Sequence, residues 1–203
     1  ALRLLHALQS EQLERSVSQQ VVSRGAGHQA AHVRDLFEQF LPEEHRVQRL
    51  GSVIQPKVIL ALPGDAQRGQ KFFLEAAGVQ CRNCHKVQSK GADVGPDLSQ
   101  IGKKYKDRGK LLDTILYPSR EIEPKYRTYL LETVDGQIFT GLLVKKDAQT
   151  VVLKDAKNKV MTYDAADVEQ LVPQQQSLMP DLLLRDMTKE QVADLLAFLE
   201  SLR

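Results

Sequence analysis

Apolar residues recur about every three or four positions in two segments near the beginning of the chain, residues 2–22 and 30–41, which predicts two helices. The apolar positions are Leu2, Leu5, Leu8 and Leu13 in the first segment and Val33, Leu36, Phe37 and Phe40 in the second. Gly25 and Gly27 are expected to separate the helices, and Pro42 to end the second. Two such helices bury little apolar surface alone, so we expect them to pack on the rest of the chain or to continue helices from further upstream.

Helical spacing returns in the second part of the chain, where further helices are predicted. The first begins after Asp65, whose side chain suits a helix N-cap, and continues through Phe73. The next lies near residues 108–117 and ends before a proline. The closing helix covers residues 188–202, with Thr188 as its N-cap and an apolar stripe along one side.

The period of the apolar residues changes to about two between these last helices, which predicts β-strands. Residues 126–134 and 137–144 are predicted to form a hairpin around Asp135-Gly136, a strong turn signal. Further short strands are predicted at about 150–154, 159–163 and 168–172. Strands this short and closely spaced indicate a small curled sheet or an SH3/Sm-like barrel, a β module over about residues 126–172.

Composition narrows the class of protein. With 42% hydrophobic and 27% charged residues, the chain resembles an ordinary soluble globular protein. No apolar run approaches the ~18 residues that a membrane-spanning helix needs, and a net charge of +2 gives no electrostatic support for nucleic-acid binding. The chain begins at Ala1 inside an amphipathic pattern, without an initiator Met or a signal peptide, so we expect a mature fragment or a domain of a longer polypeptide.

The candidate chemistry lies at the only cysteines, Cys81 and Cys84, which are followed directly by His85. In a helical turn, cysteines at this spacing lie on one face and match the vinyl groups along one edge of a porphyrin. The imidazole that follows them can then reach the iron. This CxxCH pattern is typical of covalent haem attachment, and it predicts one haem c whose iron is bound by His85.

Other uses of the cysteines fit the sequence less well. A structural zinc site takes about four ligands, and the chain has no second cysteine pair. The remaining histidines lie at no ligand-like spacing; they are His6, His28, His32 and His45. A thioredoxin-type dithiol would need a βαβ context, which the surrounding pattern lacks. Haem attachment is therefore the favoured hypothesis.

The surroundings of the motif resemble the class I cytochromes c. Residues 64–73 look like the first helix of that family, with its glycine and its aromatic residue in the usual register. Residues 95–98, Gly-Pro-Asp-Leu, resemble the proline loop that follows the haem motif, and the closing helix resembles the last helix of the fold. The resemblance implies that the first and last helices cross, with Phe73 and Phe198 as packing partners.

The separation of His85 from Met179 is too long for a small cytochrome c, but it becomes reasonable once the β module is left out. The chain therefore resembles a cytochrome c with a β module inserted before its methionine loop. This arrangement is similar to the haem-binding domain at the C-terminus of large dehydrogenase-like proteins of planctomycetes and verrucomicrobia, and residues 34–44 look like the segment that precedes it there. We expect a mainly α chain, with a helical extension or linker over residues 1–60 and a cytochrome c domain over residues 61–203.

The resemblance also implies the ligands of the iron. His85 would be the proximal ligand, and Met179, just before the closing helix, would be the sixth ligand. An exogenous ligand, a histidine or an open position are the alternatives to Met179. The carbonyl of Pro96 would accept a hydrogen bond from the other imidazole nitrogen of His85 and so orient the ring. Met161 and Met187 are expected to be packing residues.

Charged and aromatic side chains near the motif suggest contacts for the rim of a haem. Candidate partners of the propionates are Tyr105, Tyr126, Arg120 and Arg127, although for each of them a surface or strand role is the favoured interpretation. Lys103, Lys104 and Lys106 form a basic rim that is solvated or that steers an acidic redox partner.

We expect a single-electron carrier rather than an enzyme, because no catalytic carboxylate pair, nucleophile–base set or phosphate loop is visible. The electron would come from an upstream dehydrogenase domain or a redox partner and pass to a downstream acceptor. The alternatives are a peroxidase-like, gas-sensing or redox-sensing haem with an open or labile sixth position, and an interaction protein whose β module docks a partner. Because haem c is attached outside the cytoplasm, we expect a periplasmic or otherwise extracytoplasmic location, without a membrane span or a nucleic-acid partner.

Overall fold

The structure is a computed structural model that describes residues 2–28, 30–75 and 81–203. The chain divides into two compact units, residues 1–49 and 50–203. All the candidate haem residues belong to the second unit. Among the described residues, there is no helix with the length and the apolar character that crossing a membrane requires.

The described part of the first unit contains short helices: α1 (Leu2–Gln9), α2 (Arg15–Ala26) and α3 (Ala31–Glu38), followed by a 3-10 helix at Glu43–His45. The segment predicted as one helix is therefore two, with a turn between them where Glu11 has a left-handed φ of 52°. The prediction that Gly25 separates the helices is also wrong, because this residue lies inside α2. An added Cβ at Gly25 would lie 2.2 Å from Cγ of Phe37, so the glycine permits close packing of α2 on α3.

The α-helices of the second unit contribute to one main core; they are α4 (Pro56–Leu60), α5 (Ala66–Glu75), α6 (Ile101–Lys104), α7 (Arg108–Leu116) and α8 (Lys189–Ser201). Helices α5 and α8 cross within this core, where the ring centroids of Phe73 and Phe198 lie 5.7 Å apart. Gly69 permits the crossing, because an added Cβ there would lie 2.0 Å from the carbonyl oxygen of Asp194. The predicted packing of Phe73 against Phe198 is confirmed.

The predicted N-caps of α5 and α8 are both confirmed. The Asp65 carboxylate accepts a hydrogen bond from the backbone N–H of Arg68 at 2.8 Å. At α8, the Thr188 hydroxyl accepts from the N–H of Gln191 at 3.2 Å, and the Gln191 side chain accepts from the N–H of Thr188 at 2.9 Å, which is a capping box. Asp194 accepts from the N–H of Asp65 and forms an ion pair with Arg68 at 2.7 Å, so it joins the beginning of α5 to α8.

Between α7 and α8, five strands form one antiparallel sheet in the order β4-β3-β2-β1-β5. The strands are β1 (Thr128–Thr133), β2 (Ile138–Lys146), β3 (Thr150–Lys154), β4 (Val160–Asp164) and β5 (Val168–Pro173). The predicted turn at Asp135-Gly136 joins β1 to β2, and Gly136 has the left-handed φ of 79° that this turn needs. Strands β4 and β5 form the two edges of the sheet.

The sheet has a small core of its own, formed by Leu131, Val151 and Leu153. Its two chain ends lie side by side, because the N–H of Gln174 donates to the carbonyl oxygen of Thr128 at 2.8 Å. A folded segment with adjacent ends can be inserted into another fold without moving the residues on either side of it.

The prediction of a mainly α chain is wrong. The chain is 41% helix and 18% strand, and the five-stranded sheet is an architectural element beside the helices. There are two physical reasons. The sheet buries a core of its own, and turns divide the first unit into helices shorter than the sequence predicts. The helical part that carries the Cys-His motif is only one part of a mixed α and β architecture.

Candidate haem site

The motif residues lie in one tight turn. Cys81–Asn83 form a 3-10 helix, and the N–H of His85 donates to the carbonyl oxygen of Cys81 at 2.9 Å. A helical turn keeps side chains at this spacing, those of Cys81 and Cys84, on the same side of the backbone. One short segment therefore presents both thiols and the imidazole that follows them.

The two thiols differ from those of a redox dithiol. Neither Cys81 nor Cys84 forms a disulfide, and both are half-buried. Burial raises the pKa of the Cys81 thiol to about 11, and it also raises the pKa of the Cys84 thiol. Thioredoxin-type pairs work with a lowered thiol pKa, the opposite direction to the raised pKa of these two thiols. Unlinked, protonated thiols are compatible with addition to the vinyl groups of a haem.

The imidazole of His85 is oriented by the loop that follows the motif. Its Nδ1 lies 2.9 Å from the carbonyl oxygen of Pro96, and because a carbonyl only accepts, Nδ1 carries the proton. Burial lowers the pKa of His85, and the hydrogen bond to Pro96 offsets part of this effect. The ring is therefore neutral at pH 7, with a lone pair on Nε2. Within the described residues no hydrogen bond engages Nε2.

Glycines allow this loop to approach His85 closely. An added Cβ on Gly95 would lie 2.6 Å from Cε1 of the His85 ring, and one on Gly91 would lie 2.2 Å from the His85 carbonyl oxygen. The N–H of Gly95 donates to the carbonyl oxygen of Cys84 at 2.7 Å. This bond fixes the backbone next to Pro96 and thereby the acceptor that faces the imidazole.

Met179 lies in the segment between the sheet and α8. Its side chain is half-buried and packs against the main core, as does that of Cys81. The backbone N–H of Met179 donates to Oγ of Ser177 at 3.1 Å, and the N–H of Ser177 donates to Oγ of Ser119 at 3.1 Å. These bonds tie the methionine segment to the chain that follows α7.

The other methionines pack elsewhere. Met187 is 1% exposed within the main core. Met161 packs against the core of the sheet, where the hydroxyl of Tyr163 donates to its sulfur at 3.5 Å. Of the three methionines, Met179 is the one that is half-buried against the main core.

The residues present fit a covalently held haem. Cys81 is one of the partly buried side chains that pack against the main core, and Leu98, Tyr105 and Met179 are others. Two thiols that form no disulfide and an oriented Nε2 would supply the attachment points and one iron ligand. Across residues 2–28, 30–75 and 81–203, no group of three or more His, Cys, Asp or Glu side chains could hold a metal ion.

The predicted propionate partners lie on different elements. Tyr105 borders the main core, and Tyr126 and Arg127 lie just before β1. The guanidinium of Arg120 lies 4.2 Å from the ring centroid of Tyr117. Their role toward a haem stays a prediction.

Sequence reasoning missed a contact between the sheet and the haem-motif loop. Nζ of Lys154, at the end of β3, donates to a carboxylate oxygen of Asp93 at 3.2 Å and to the Asp93 carbonyl oxygen at 3.3 Å. The two residues are far apart in the sequence and belong to no motif, so no pattern joins them. The packing of Gly95 on the His85 ring was also missed, because it depends on how the loop folds back.

Part of the second unit is similar to a known protein family. Residues 66–127 match the family model Cytochrome c. No curated protein matches the chain. The matched region begins with α5 and includes the Cys-His motif, and the match supports a cytochrome c-like haem-binding domain in this part of the chain. The family implies covalently bound haem c with its iron and haem-based electron transfer, and such domains are usually extracytoplasmic.

Proposed function

We propose that the chain, through its cytochrome c-like domain, is a single-electron carrier in which one haem c is attached to Cys81 and Cys84 and bound by His85 and Met179. The observation that carries this proposal is the 2.9 Å hydrogen bond between His85 Nδ1 and the Pro96 carbonyl oxygen, beside two unlinked thiols. It leaves Nε2 of a neutral, oriented imidazole for the iron, as haem ligation requires.

The two proposed ligands have different effects. The hydrogen bond from His85 to Pro96 increases the basicity of the imidazole and fixes the plane of its ring. The thioether of Met179 would favour the ferrous state and raise the reduction potential. An iron held by both His85 and Met179 would be closed to peroxide and gases, which suits electron transfer.

The proposed donor is an upstream dehydrogenase domain or a separate dehydrogenase, as in the planctomycete and verrucomicrobial proteins that the chain resembles. Lys103 and Lys106 are exposed and line a surface groove with Arg203 and Glu200, and the Glu200 carboxylate pairs with Arg108. Lys104 pairs with Glu123 at 2.6 Å. This basic rim favours a redox partner with an acidic surface. We place the domain in the periplasm or another extracytoplasmic compartment, where haem c is attached.

Covalent attachment is tested by removing the thiols. The double variant Cys81→Ala, Cys84→Ala is expected to lose covalent haem, whereas wild type matured in a periplasm is expected to keep its colour in denaturing electrophoresis. Each single variant retains one thiol and is the matched control, with one remaining thioether bond. Haem that extracts freely from wild type into acidic butanone would contradict the proposed attachment.

The sixth ligand separates a carrier from a catalyst. Met179→Ala is expected to abolish the weak red absorption band that methionine ligation gives ferric haem, to lower the reduction potential and to allow carbon monoxide to bind. Met161→Ala, a methionine in the sheet, is the matched control and is expected to leave all three unchanged. If wild type already binds carbon monoxide rapidly and Met179→Ala changes nothing, the protein belongs to the peroxidase-like or gas-sensing class.

A further inference from the structure

The sheet touches the loop that carries the hydrogen-bond partner of His85. Nζ of Lys154 lies 3.2 Å from a carboxylate oxygen of Asp93 and 3.3 Å from the Asp93 carbonyl oxygen. The side chain of Lys154 is only 17% exposed, whereas that of Asp93 is 71% exposed. The lysine is therefore the fixed member of the pair, and the loop is the member that it holds.

The position of Lys154 is set by the sheet. Thr128 pairs directly with Leu142, and Leu142 pairs directly with Lys154, so the three side chains form a row on one face. Thr128 is 3% exposed and Leu142 is 6% exposed, which shows that this end of the face is covered. Strand β3 lies inside the sheet, between β2 and β4, and its backbone is paired on both sides.

The loop is held on its other side by the haem motif. The N–H groups of Ala92 and Gly95 donate to carbonyl oxygens of the motif segment at 2.9 and 2.7 Å. The carbonyl of Asp93 lies between these two attachments, and Lys154 is its donor. The short chain from Ala92 to Gly95 is thus fixed from the motif and from the sheet together.

The contact is between charged groups at neutral pH. The hydrogen bond from Lys154 and its positive charge lower the pKa of the Asp93 carboxyl. A lysine that binds both the carboxylate and the carbonyl of one residue restrains the backbone as well as the side chain, which distinguishes this pair from an ordinary exposed salt bridge.

We infer that Lys154 is a positioning residue for His85: by holding Asp93 it fixes the loop in which Gly95 packs against the imidazole and Pro96 accepts its hydrogen bond. The inserted sheet is then a supporting part of the haem site and not a passive insertion. This inference rests on the proposed function, because the relevant readouts come from an attached haem ligated by His85.

The test compares Lys154→Met with Lys157→Met in the full, haem-loaded chain. Lys157 is an exposed lysine in the turn after β3, so its replacement removes the same charge without touching Asp93. We expect Lys154→Met to change the hyperfine shifts of the haem methyl groups in the ferric protein, which report the plane of the axial imidazole. We also expect a several-fold faster exchange of the His85 Nδ1 proton in the ferrous protein, and recovery of both properties in Lys154→Arg.

The possible outcomes separate the inference from the function on which it rests. If Lys154→Met matches Lys157→Met in both NMR readouts, even with a lower melting temperature, Lys154 has only a structural role and the inference is overturned. If wild type carries no covalent haem, the proposed function itself fails, and the inference that rests on it fails with it. Should Lys154→Met not fold, Asp93→Asn weakens the same contact from its exposed side, and the same NMR changes, smaller in size, are expected.

Discussion

The ring of His85 is positioned by neighbours on two sides. The Pro96 carbonyl holds Nδ1, and Gly95 leaves the space that the ring occupies. A hydrogen bond alone fixes a distance and a direction, whereas close packing also limits rotation of the ring. Both restraints come from the same short loop, so a small change in that loop affects the imidazole directly.

Gly95→Ala is expected to displace the imidazole. The new Cβ would lie 2.6 Å from Cε1 and 2.8 Å from Nδ1 of His85, which is closer than any normal contact, so the ring or the loop has to move. We expect the free energy of unfolding to fall by about 1–3 kcal/mol, as for other overpacked sites. The ferric absorption spectrum is expected to show weakened histidine ligation.

The matched control for Gly95→Ala is Gly109→Ala in α7. There the nearest atom to an added Cβ is Oδ1 of Asp107 at 3.1 Å, the oxygen that caps α7, so a shift of only a few tenths of an ångström is needed. Denaturant unfolding and spectra of both variants give the comparison. Identical behaviour of the two variants would show that the contact between Gly95 and the ring does not restrain it.

The residues of the candidate site differ in how far the sequence predicts them. Cys81, Cys84 and His85 follow from the motif, because their spacing is local and their chemistry is specific. The contact between His85 and Pro96 is expected from the family resemblance. Nothing local predicts Lys154, because its contact with the loop depends on the register of the sheet.

Asp147 gives the sheet an expected dependence on pH. Hydrogen bonding to Lys145 and to the backbone N–H groups of Gln149 and Thr150 holds the pKa of this carboxyl well below its ordinary value. Since the pKa is lower in the folded than in the unfolded state, the stabilisation is present above about pH 4 and is lost as the pH falls toward the folded pKa. As the pH is lowered into the acid range, the melting temperature of Asp147→Asn should therefore fall less steeply than that of wild type.

An exposed aspartate outside the sheet controls for general effects of charge. Asp181→Asn is expected to keep the wild-type dependence on acid, and Asp147→Asn is expected to be less stable than wild type at neutral pH. Equal slopes for Asp147→Asn and wild type in acid would contradict the assigned role of this turn.

Helices α5 and α8 meet backbone to backbone at their crossing. Gly69 faces the carbonyl of Asp194, and Phe73 packs on Phe198 one turn further along. A larger side chain at Gly69 would therefore push α5 and α8 apart. Helix α5 leads into the Cys-His motif and α8 follows the Met179 segment, so their contact holds these two parts of the domain together.

Gly69→Ala is expected to destabilise the second unit. Its Cβ would lie 2.0 Å from the Asp194 carbonyl oxygen and 2.8 Å from Cβ of Phe198, so the helices have to move apart. We expect a loss of about 1–3 kcal/mol or more in urea unfolding. Gln70→Ala, an exposed neighbour on the same helix, is expected to change stability by less than about 0.5 kcal/mol. A Gly69→Ala protein as stable as Gln70→Ala would exclude close backbone contact at the crossing.

The elements were predicted most accurately where a local signal fixes their ends. The caps at Asp65 and Thr188 and the turn at Asp135-Gly136 all satisfy backbone groups or special dihedral angles within a few residues. The first unit was predicted less well, because an apolar period continues across the turn at Glu11 without a glycine or proline to mark it. Gly25 was misread because close packing and helix termination both favour glycine.

The whole second unit combines a helical core and a sheet core. The sequence predicts five short strands, but the prediction of a mainly α chain gives them too little weight, because the resemblance to cytochromes c covers the helices and treats the sheet as an insertion. The sheet has its own buried residues, and its two chain ends are adjacent. The chain therefore enters and leaves the sheet at one place and does not have to cross the main core in between.

Replacing residues 128–174 with a short Gly/Ser linker is expected to leave covalent haem attachment intact. The ends of the replaced segment are joined by the hydrogen bond from Gln174 to Thr128, so a short linker spans them. We expect the shortened protein to take up haem and to show imidazole NMR changes like those of Lys154→Met. Haem content after periplasmic maturation is the first measurement. A protein that never folds would show that the sheet belongs to the haem domain core.

The paired ends of the sheet also bear on the order in which the chain folds. Bringing α8 onto α5 closes a long stretch of chain, and the conformational entropy lost in closing a loop grows with its length. The hairpins of the sheet need only local contacts and can form early. Once β5 has paired with β1, the ends at Thr128 and Gln174 are adjacent, and the remaining loop is far shorter than the sequence separation suggests. Early formation of the sheet is therefore expected to accelerate the docking of α8.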